Sequence, residues 1–396
     1  MSAPMSAGFH DAARPDADDD TGARLRVLFL SWRDRGHPEA GGAEAFLDFV
    51  SRDLAARGHD VQVFTALYPG ARPDETLDGC RFRRRGGRFS VYPRAALELL
   101  RRRRSFDVVI DVQNGLPFWA PLFTRTPVLN LVHHVHREQW PEVFSPLRAR
   151  LGWWLESRLA PRVYRRSRYI VVSHATKLEL TELGVDRDHI DVVYSGRDPL
   201  VGSESVVQDE TPSLVVLGRL VPHKRVELAI SAVKVLREQH PGIVLSVIGH
   251  GYWLPELESY AAAIGATPQV RFLGFVDEDV KNRVLAASWL NLLPSVKEGW
   301  GLAIIEAAAH GVPSVAFREA SGTTESIIDG TTGLLVEDEA DFVETISELL
   351  TDRVRRQDMG AKAKTFSEQF TWQATTDEVE RLLRAPSGVP LDQPPS

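Results

Sequence analysis

The chain carries one cysteine in 396 residues, Cys80. An intramolecular disulfide is therefore impossible, which suits a reducing compartment. Nowhere do about 18 uncharged apolar residues run together, so no transmembrane helix is expected. Residues 1–22 are rich in Ala, Asp and Pro and lack a basic start followed by an apolar run. They read as a disordered tail, and no signal peptide is expected. Also missing is the G-x-G-x-x-G fingerprint, and the second apolar run ends at Thr65-Ala66 without the acidic residue that holds an adenosine ribose. A dinucleotide cofactor is thereby disfavoured.

What is present is globular: 43% hydrophobic and 26% charged residues, over a length that suggests two domains with their own cores. The net charge of −7 is unevenly spread. Residues 81–104 hold Arg81, Arg83, Arg84, Arg85, Arg88, Arg94 and Arg101 to Arg104 against a single Glu98. Residues 148–168 add Arg148, Arg150, Arg158, Arg162, Arg165, Arg166 and Arg168, with Trp153 and Trp154 among them. The N-terminal half thus presents a basic surface on an acidic protein. Such a surface can meet anionic lipid, nucleic acid or a phosphorylated substrate. The alternative is a solvated helix face with the tryptophans in the core.

Short β-branched runs alternate with helical patterns twice over. In the first half Leu25–Leu30, Val61–Thr65, Val108–Asp111, Val128–Val132 and Tyr169–Val172 read as strands, with a helix near 43–57. A Ser-, Gly- and Asp-rich stretch up to Pro212 reads as a linker. In the second half the strands are Leu214–Leu217, Val244–Ile248, Val270–Leu273, Leu290–Leu293, Ser314–Phe317 and Leu334–Val336. Helices are expected over 224–238, 253–264 and 302–310, and from 338 to about 384. This is the pattern of two parallel sheets covered by helices, with a ligand cleft between the sheets' carboxyl edges. The expected division is a tail at 1–22, domains at 23–195 and 213–370 joined by a linker at 196–212, a C-terminal helix at 371–385, and a second disordered tail at 386–396.

Residues 298–306 read Glu-Gly-Trp-Gly-Leu-Ala-Ile-Ile-Glu. Two carboxylates flank a Gly-aromatic-Gly turn that opens an apolar helix. The turn can aim N–H groups and a helix dipole at phosphate, while the carboxylates accept from hydroxyls on either side. Gly218-Arg219-Leu220-Val221-Pro222-His223-Lys224 follows the first strand of the second half. There Arg219 offers a planar fork and Lys224 a mobile charge, suited to a diphosphate. Gly36 to Glu44, with Gly41 and Gly42, follows the first strand, where anion contact and a plain tight turn are equally good readings. Val132-His133-His134-Val135-His136 ends another strand. No further metal ligand stands at suitable spacing, so a histidine bonded to substrate is preferred to zinc.

Together these motifs resemble the family-4 retaining glycosyltransferases of the GT-B fold over about residues 25–385. Gly218-Arg219 with Lys224, the Glu298-to-Glu306 motif and Gly330-Thr331-Thr332-Gly333-Leu334-Leu335-Val336 follow in that family's order. The resemblance implies an α/β GT-B fold with two Rossmann-like, doubly wound domains facing a central cleft, the first for the acceptor and the second for a nucleotide-sugar. It implies that Arg219 and Lys224 hold the donor diphosphate and that Glu298 contacts the donor sugar. Gly301 and Leu302 would give N–H groups to phosphate within the turn of Gly299 and Trp300, and Glu306 would bind the ribose. Phe275 and Val276 would border the base, Gly218 and Gly249 the donor, and Gly41 and Gly42 the phosphate and acceptor. His133 would contact the sugar near its 6-position. The family commonly has Phe where Trp300 stands, and often Asp where His134 stands.

The function so implied is retaining transfer of a hexose from a UDP- or GDP-sugar to a glycan, lipid-linked or small-molecule acceptor, with no metal and no cofactor beyond the donor. Expected partners are the donor, the acceptor and an anionic membrane surface met by the Arg-rich first domain, but not nucleic acid. The expected location is cytoplasmic, peripheral on the membrane's cytoplasmic face. The alternatives are a nucleotide-sugar 2-epimerase on the same fold, for which no convincing set of extra carboxylates is found, and a non-catalytic nucleotide- or nucleic-acid-binding protein.

Overall fold

The computed structural model describes residues 23–385 apart from 103, 199, 201 and 203–205. The tails expected at 1–22 and 386–396 lie outside the described residues. The first domain has an eight-stranded sheet. Its strands are β1 (Arg26–Leu30), β2 (Asp60–Thr65), β3 (Asp74–Leu77), β4 (Cys80–Arg84), β5 (Val108–Gln113), β6 (Val128–Val132), β7 (Arg168–Val171) and β8 (Ile190–Val192). Their order is β3-β4-β2-β1-β5-β6-β7-β8. Only the β3/β4 pair is antiparallel. The second domain has β9 (Ser213–Leu217), β10 (Val244–Ile248), β11 (Val270–Gly274), β12 (Leu290–Leu293), β13 (Ser314–Phe317) and β14 (Gly333–Val336). They form a wholly parallel sheet in the order β11-β10-β9-β12-β13-β14.

Strands buried on both faces need continuous apolar runs. β1 (Arg-Val-Leu-Phe-Leu) is such a run: Val27 and Phe29 join the core on one face, Leu28 and Leu30 that on the other. The helix Trp372–Arg384 returns to the first domain, where Trp372, Val379, Leu382 and Leu383 join the core that holds Val27 and Phe46. Among the described residues no helix is long and apolar enough to cross a membrane.

The strands β3, β4 and β8 were not legible in the sequence, and β4 changes the reading of the arginines. Arg84 is buried and binds Asp34 at 2.6 Å and Glu75 at 2.8 Å. Arg83 meets Glu98 at 2.5 Å, Arg85 meets Asp74 at 2.6 Å and Arg81 meets Asp60 at 2.6 Å. Arg168 binds Asp191. Sheet pairing brings acids from distant segments to these arginines. With Arg102, which pairs with Glu98, these are a minority of the arginines in the two stretches, so the expected basic surface is neutralised in part. Among the described residues Arg148, Arg150, Arg165 and Arg166 form no ion pair.

In each sheet the chain leaves in opposite directions from two adjacent strands, β1/β5 and β9/β12. A crevice opens at the carboxyl ends of such a pair. Loops that leave β1, β6, β9, β10 and β12 at these edges carry candidate site residues.

Candidate active site

In the first domain the loop after β1 leads to Gly41 and the helix Gly42–Ala56. Buried polar contacts fix its path. Arg33 Nε donates to Glu44 Oε1 at 2.9 Å, and Glu44 Oε2 accepts from the N–H of Gly41 at 2.7 Å. Asp34 accepts from Gly36 N–H and the Tyr68 hydroxyl while pairing with Arg84. This holds the start of the helix open toward the second domain.

In the second domain Gly218 ends β9 with a φ of +155°, and Gly249 follows β10 with a φ of +131°. A methyl on Gly249 would meet the Gly218 carbonyl oxygen at 1.9 Å, so Gly249 serves the close approach of two strand ends. Arg219 then crosses under the first domain: a methyl on Gly41 would lie 3.2 Å from its Cδ and Nε. Arg219 makes no hydrogen bond or ion pair among the described residues. Burial, with Arg33 nearby, pulls its pKa below the usual arginine value. An unpartnered, half-buried cation is costly unless an anion joins it.

Lys224 ends the short turn Pro222–Lys224, and the helix starts two residues later than expected, at Val226. Arg225 has a left-handed φ of 47°, which separates turn from helix. Lys224 Nζ lies 2.5 Å from Glu298 Oε1. After Glu298, Gly301 adopts a left-handed φ of +82° and caps the helix Leu302–Ala309. Its start faces that of Gly42–Ala56: a methyl on Gly42 would lie 3.8 Å from Leu302 Cδ2. Two helix N-termini and two cations thus converge at the sheets' carboxyl edges. Each adds positive potential there.

Not all the candidate side chains reach that point. Trp300 is buried away from it, 4.4 Å from the ring of Tyr194 and 4.9 Å from that of Phe370. Its indole fills a core, and its backbone belongs to the turn. A 360 Å³ pocket lies beside it, lined by Tyr194, Phe366 and Phe370. Glu306 binds Lys281 Nζ at 2.5 Å. Phe275 is exposed with its ring 5.9 Å from that of His250, while Val276 packs toward Val215 and Leu285. His250 Nε2 meets the Pro38 carbonyl of the other domain.

His133 is buried with its ring edge-on to Phe46 at 5.4 Å, and its Nε2 has no hydrogen-bond partner among the described residues. Burial pushes its pKa down to about 4. Burial also pushes the pKa of His134 well below the usual value, and His136, His133, Arg219 and His223 add to the fall. Arg219 and His223 of the second domain thus act on His134 and not on His133, the histidine that the resemblance favours. A strand end flips successive side chains, so one residue decides the face. Among the described residues no group of three or more His, Cys, Asp or Glu is placed to hold a metal ion.

His136, the last of the three histidines marked in the sequence, lies with its ring 4.2 Å from that of His134, and its Nδ1 is 3.1 Å from Glu156, which also accepts from Trp140 Nε1 at 2.6 Å. Glu156 itself carried no sequence signal. Glu156 stands in a π-helical turn, Leu155–Leu159, that no local pattern announces. Lys281 and Asp198 were also unmarked. Glu44 had a signal: an acid three residues after a helix cap is a capping pattern.

The domains have closed on one another. Lys297 meets Glu179, Arg35 meets Glu278, His223 meets Glu142, and Glu325 accepts from the N–H groups of His174 and Ala175. Beside Gly218, Arg219 and Lys224 a void of only 10 Å³ remains.

Two parallel-sheet domains, meeting at their switch points over a cluster of cations and helix starts, define a glycosyltransferase of the GT-B fold. Residues 203–366 match the model for glycosyl transferases group 1, and residues 40–200 match that for glycosyltransferase family 4. The chain belongs to these group 1, family-4 glycosyltransferases and is an enzyme of that class. It is 28% identical over 373 residues to a GDP-mannose-dependent alpha-(1-6)-phosphatidylinositol monomannoside mannosyltransferase of Mycobacterium tuberculosis, covering 88% of this chain and 95% of that relative. It is 33% identical over 218 residues to a D-inositol 3-phosphate glycosyltransferase of Nocardia farcinica, where the match spans 50% of this chain and about half, 48%, of the relative. Among solved structures, sucrose-phosphate synthase from Thermosynechococcus elongatus superposes with a TM-score of 0.77 at 20% identity, covering 91% of this chain and 99% of that one. Anabaena HepE in complex with UDP and glucose superposes at 0.73 and 18% identity, covering 91% and 100%.

Proposed function

We propose that the enzyme transfers a hexose, with retention of anomeric configuration and without a metal, from a nucleoside diphosphate sugar to a glycan or lipid-linked acceptor. One observation carries the reading. Arg219, unpartnered among the described residues, lies with Lys224 where the helices beginning at Gly42 and Leu302 converge. As the bond from sugar to phosphate breaks, the sugar gains oxocarbenium character and negative charge collects on the departing diphosphate. Fixed cations and helix dipoles at that point stabilise the charge without a metal. Attack on the face the diphosphate leaves lets that diphosphate take the acceptor's proton, so no protein base is assigned. Glu298, freed from Lys224 when phosphate arrives, accepts from sugar hydroxyls.

The Mycobacterium relative is GDP-mannose-dependent and acts on a phosphatidylinositol monomannoside. GDP-mannose and UDP-glucose are therefore the first donors to try, with an inositol-lipid acceptor. The first domain is read as the acceptor domain. The helix Pro146–Trp154, with exposed apolar residues beside Arg148 and Arg150, supports contact with an anionic membrane. The location proposed is the cytoplasmic face of that membrane, in line with the single, buried Cys80.

A thermal-shift panel of UDP-, GDP- and ADP-sugars tests the donor. A ligand at about 100 times its dissociation constant adds about 2.7 kcal/mol to stability. No shift with any nucleotide overturns the reading. Proton NMR of the product's anomeric signal tests retention, and epimer formation from donor alone would point to epimerase chemistry instead.

A further inference from the structure

Lys281 is a buried lysine on the helix Glu278–Ala287, and it faces three carboxylates. Its Nζ lies 2.5 Å from Glu306 Oε1, 2.6 Å from Glu278 Oε2 and 2.9 Å from Asp198 Oδ2. An ammonium group has three N–H donors, so each carboxylate takes one. The three acids come from three places: the helix Leu302–Ala309, Lys281's own helix, and the segment joining the domains. Asp198 is itself held, because its Oδ1 accepts from Trp372 Nε1 at 3.1 Å. Trp372 in turn stacks on Phe49 of the first domain at 4.6 Å and 8°. The ammonium's position is thus set from both domains.

Glu306 depends on that position. The rest of its helix is Leu, Ala and Ile, and offers the carboxylate no other donor. Burial pushes its pKa up, and Lys281 is the group that opposes the rise. With Oε1 held by Lys281, Oε2 makes no hydrogen bond among the described residues. A carboxylate clamped through one oxygen presents the other at a fixed place as an acceptor.

We propose that Lys281 is a positioning residue that makes the donor site read ribose: by clamping Glu306 Oε1 it fixes Oε2 to accept from a ribose hydroxyl, so that ribonucleotides bind in preference to their deoxy forms. This rests on the reading of Glu306 as the nucleotide's ribose contact. A lysine that merely stabilised the fold would weaken all nucleotides alike. A clamp acting through Glu306 has a narrower signature, because removing it weakens the ribonucleotide and leaves the deoxynucleotide almost unaffected.

The test is calorimetric titration of the full chain with UDP and GDP and with their 2′-deoxy, 3′-deoxy and 2′,3′-dideoxy counterparts. In the wild type the preferred ribonucleotide should bind about 10-fold or more tighter than at least one deoxy form, the size of a hydrogen bond to a charged group. In Lys281→Met that ratio should fall below about 3-fold, with the dideoxy form bound as in wild type. Lys281→Arg, which keeps charge and donors, should restore part of the ratio. Where Lys281→Met does not fold, Lys281→Gln is titrated with the same set and the same fall in ratio is expected. A variant that keeps the full ratio overturns the proposal. So does a wild type that binds ribo and deoxy forms equally, although the donor assignment then stands. Failure of every nucleoside diphosphate to bind the wild type instead removes the functional reading beneath it.

Discussion

A methyl group on Gly299 would lie 2.2 Å from the carbonyl oxygen of His133. Gly299 belongs to the turn of the second domain, and His133 follows β6 of the first. The domains touch here only because the turn has no side chain. Backbone cannot swing aside as a long side chain can, so any Cβ must push the domains apart.

Gly299→Ala is therefore expected to leave each domain's core intact and to hold the cleft open. A displacement of about 1 Å at a reacting centre can cost about 100-fold in rate. kcat/KM should fall by that order with the melting temperature nearly unchanged, and small-angle scattering should report a larger radius of gyration. Wild-type turnover in this variant would show that closure at this point is not needed.

Arg219 separates function from stability. It has no carboxylate to lose, and its burial is costly in the absence of an anion. Arg219→Met should lower kcat by about 10²- to 10³-fold, as removal of one oxyanion donor does, while the melting temperature holds or rises. A fall in stability without loss of transfer would contradict the assignment.

His133 makes a pH prediction with a definite sign. Its folded pKa, about 4, lies below the ordinary histidine value of 6.5 because burial disfavours the cation. Between those values the unfolded chain takes up a proton that the folded chain refuses. Stability attributable to this ring is thus present above pH 6.5 and is lost as pH falls toward 4, by at most about 3 kcal/mol. Denaturant titration from pH 7 to 4 should show this loss, and His133→Asn should make it shallower, leaving the part due to His134, His223 and His310, whose pKa values burial also lowers. An NMR titration that finds the ring protonated at pH 6 would rule the account out.

The helix Pro146–Trp154 carries Leu147, Leu151 and Trp154 on one stripe, exposed by 79%, 57% and 52%. Arg148 and Arg150 flank them. Wild-type protein should pellet with anionic vesicles at low salt, and the double change Leu147→Glu with Leu151→Glu should abolish pelleting. Turnover of a water-soluble acceptor should stay within about 2-fold, since Leu147 and Leu151 are exposed and their replacement empties no core. Failure of the wild type to pellet ends the membrane assignment.

Much of the fold was legible along the chain. β1 and β9 are near-continuous apolar runs, as strands of a parallel sheet covered on both faces are. β3 and β4 were not, because Asp74–Leu77 and Cys80–Arg84 are charged strands whose arginines are matched by acids from other segments, and β8, Ile190–Val192, is too short to show a pattern. The Gly-Trp-Gly turn with its two glutamates was visible because local backbone geometry demands those residue types. Lys281, Asp198 and Glu156 were not, because an ion pair between distant segments leaves no local pattern.

The residue string by itself settled the two parallel sheets and the turns at their edges, through period, glycine and helix caps that act within a few positions. Tertiary structure alone decided which arginines are neutralised, that Trp300 fills a core, that Arg219 and His223 act on His134 and not on His133, and that Glu306 leans on Lys281. These outcomes depend on which distant groups share a buried space. There, charge is too costly to stand alone, and each partner is chosen by proximity in the fold.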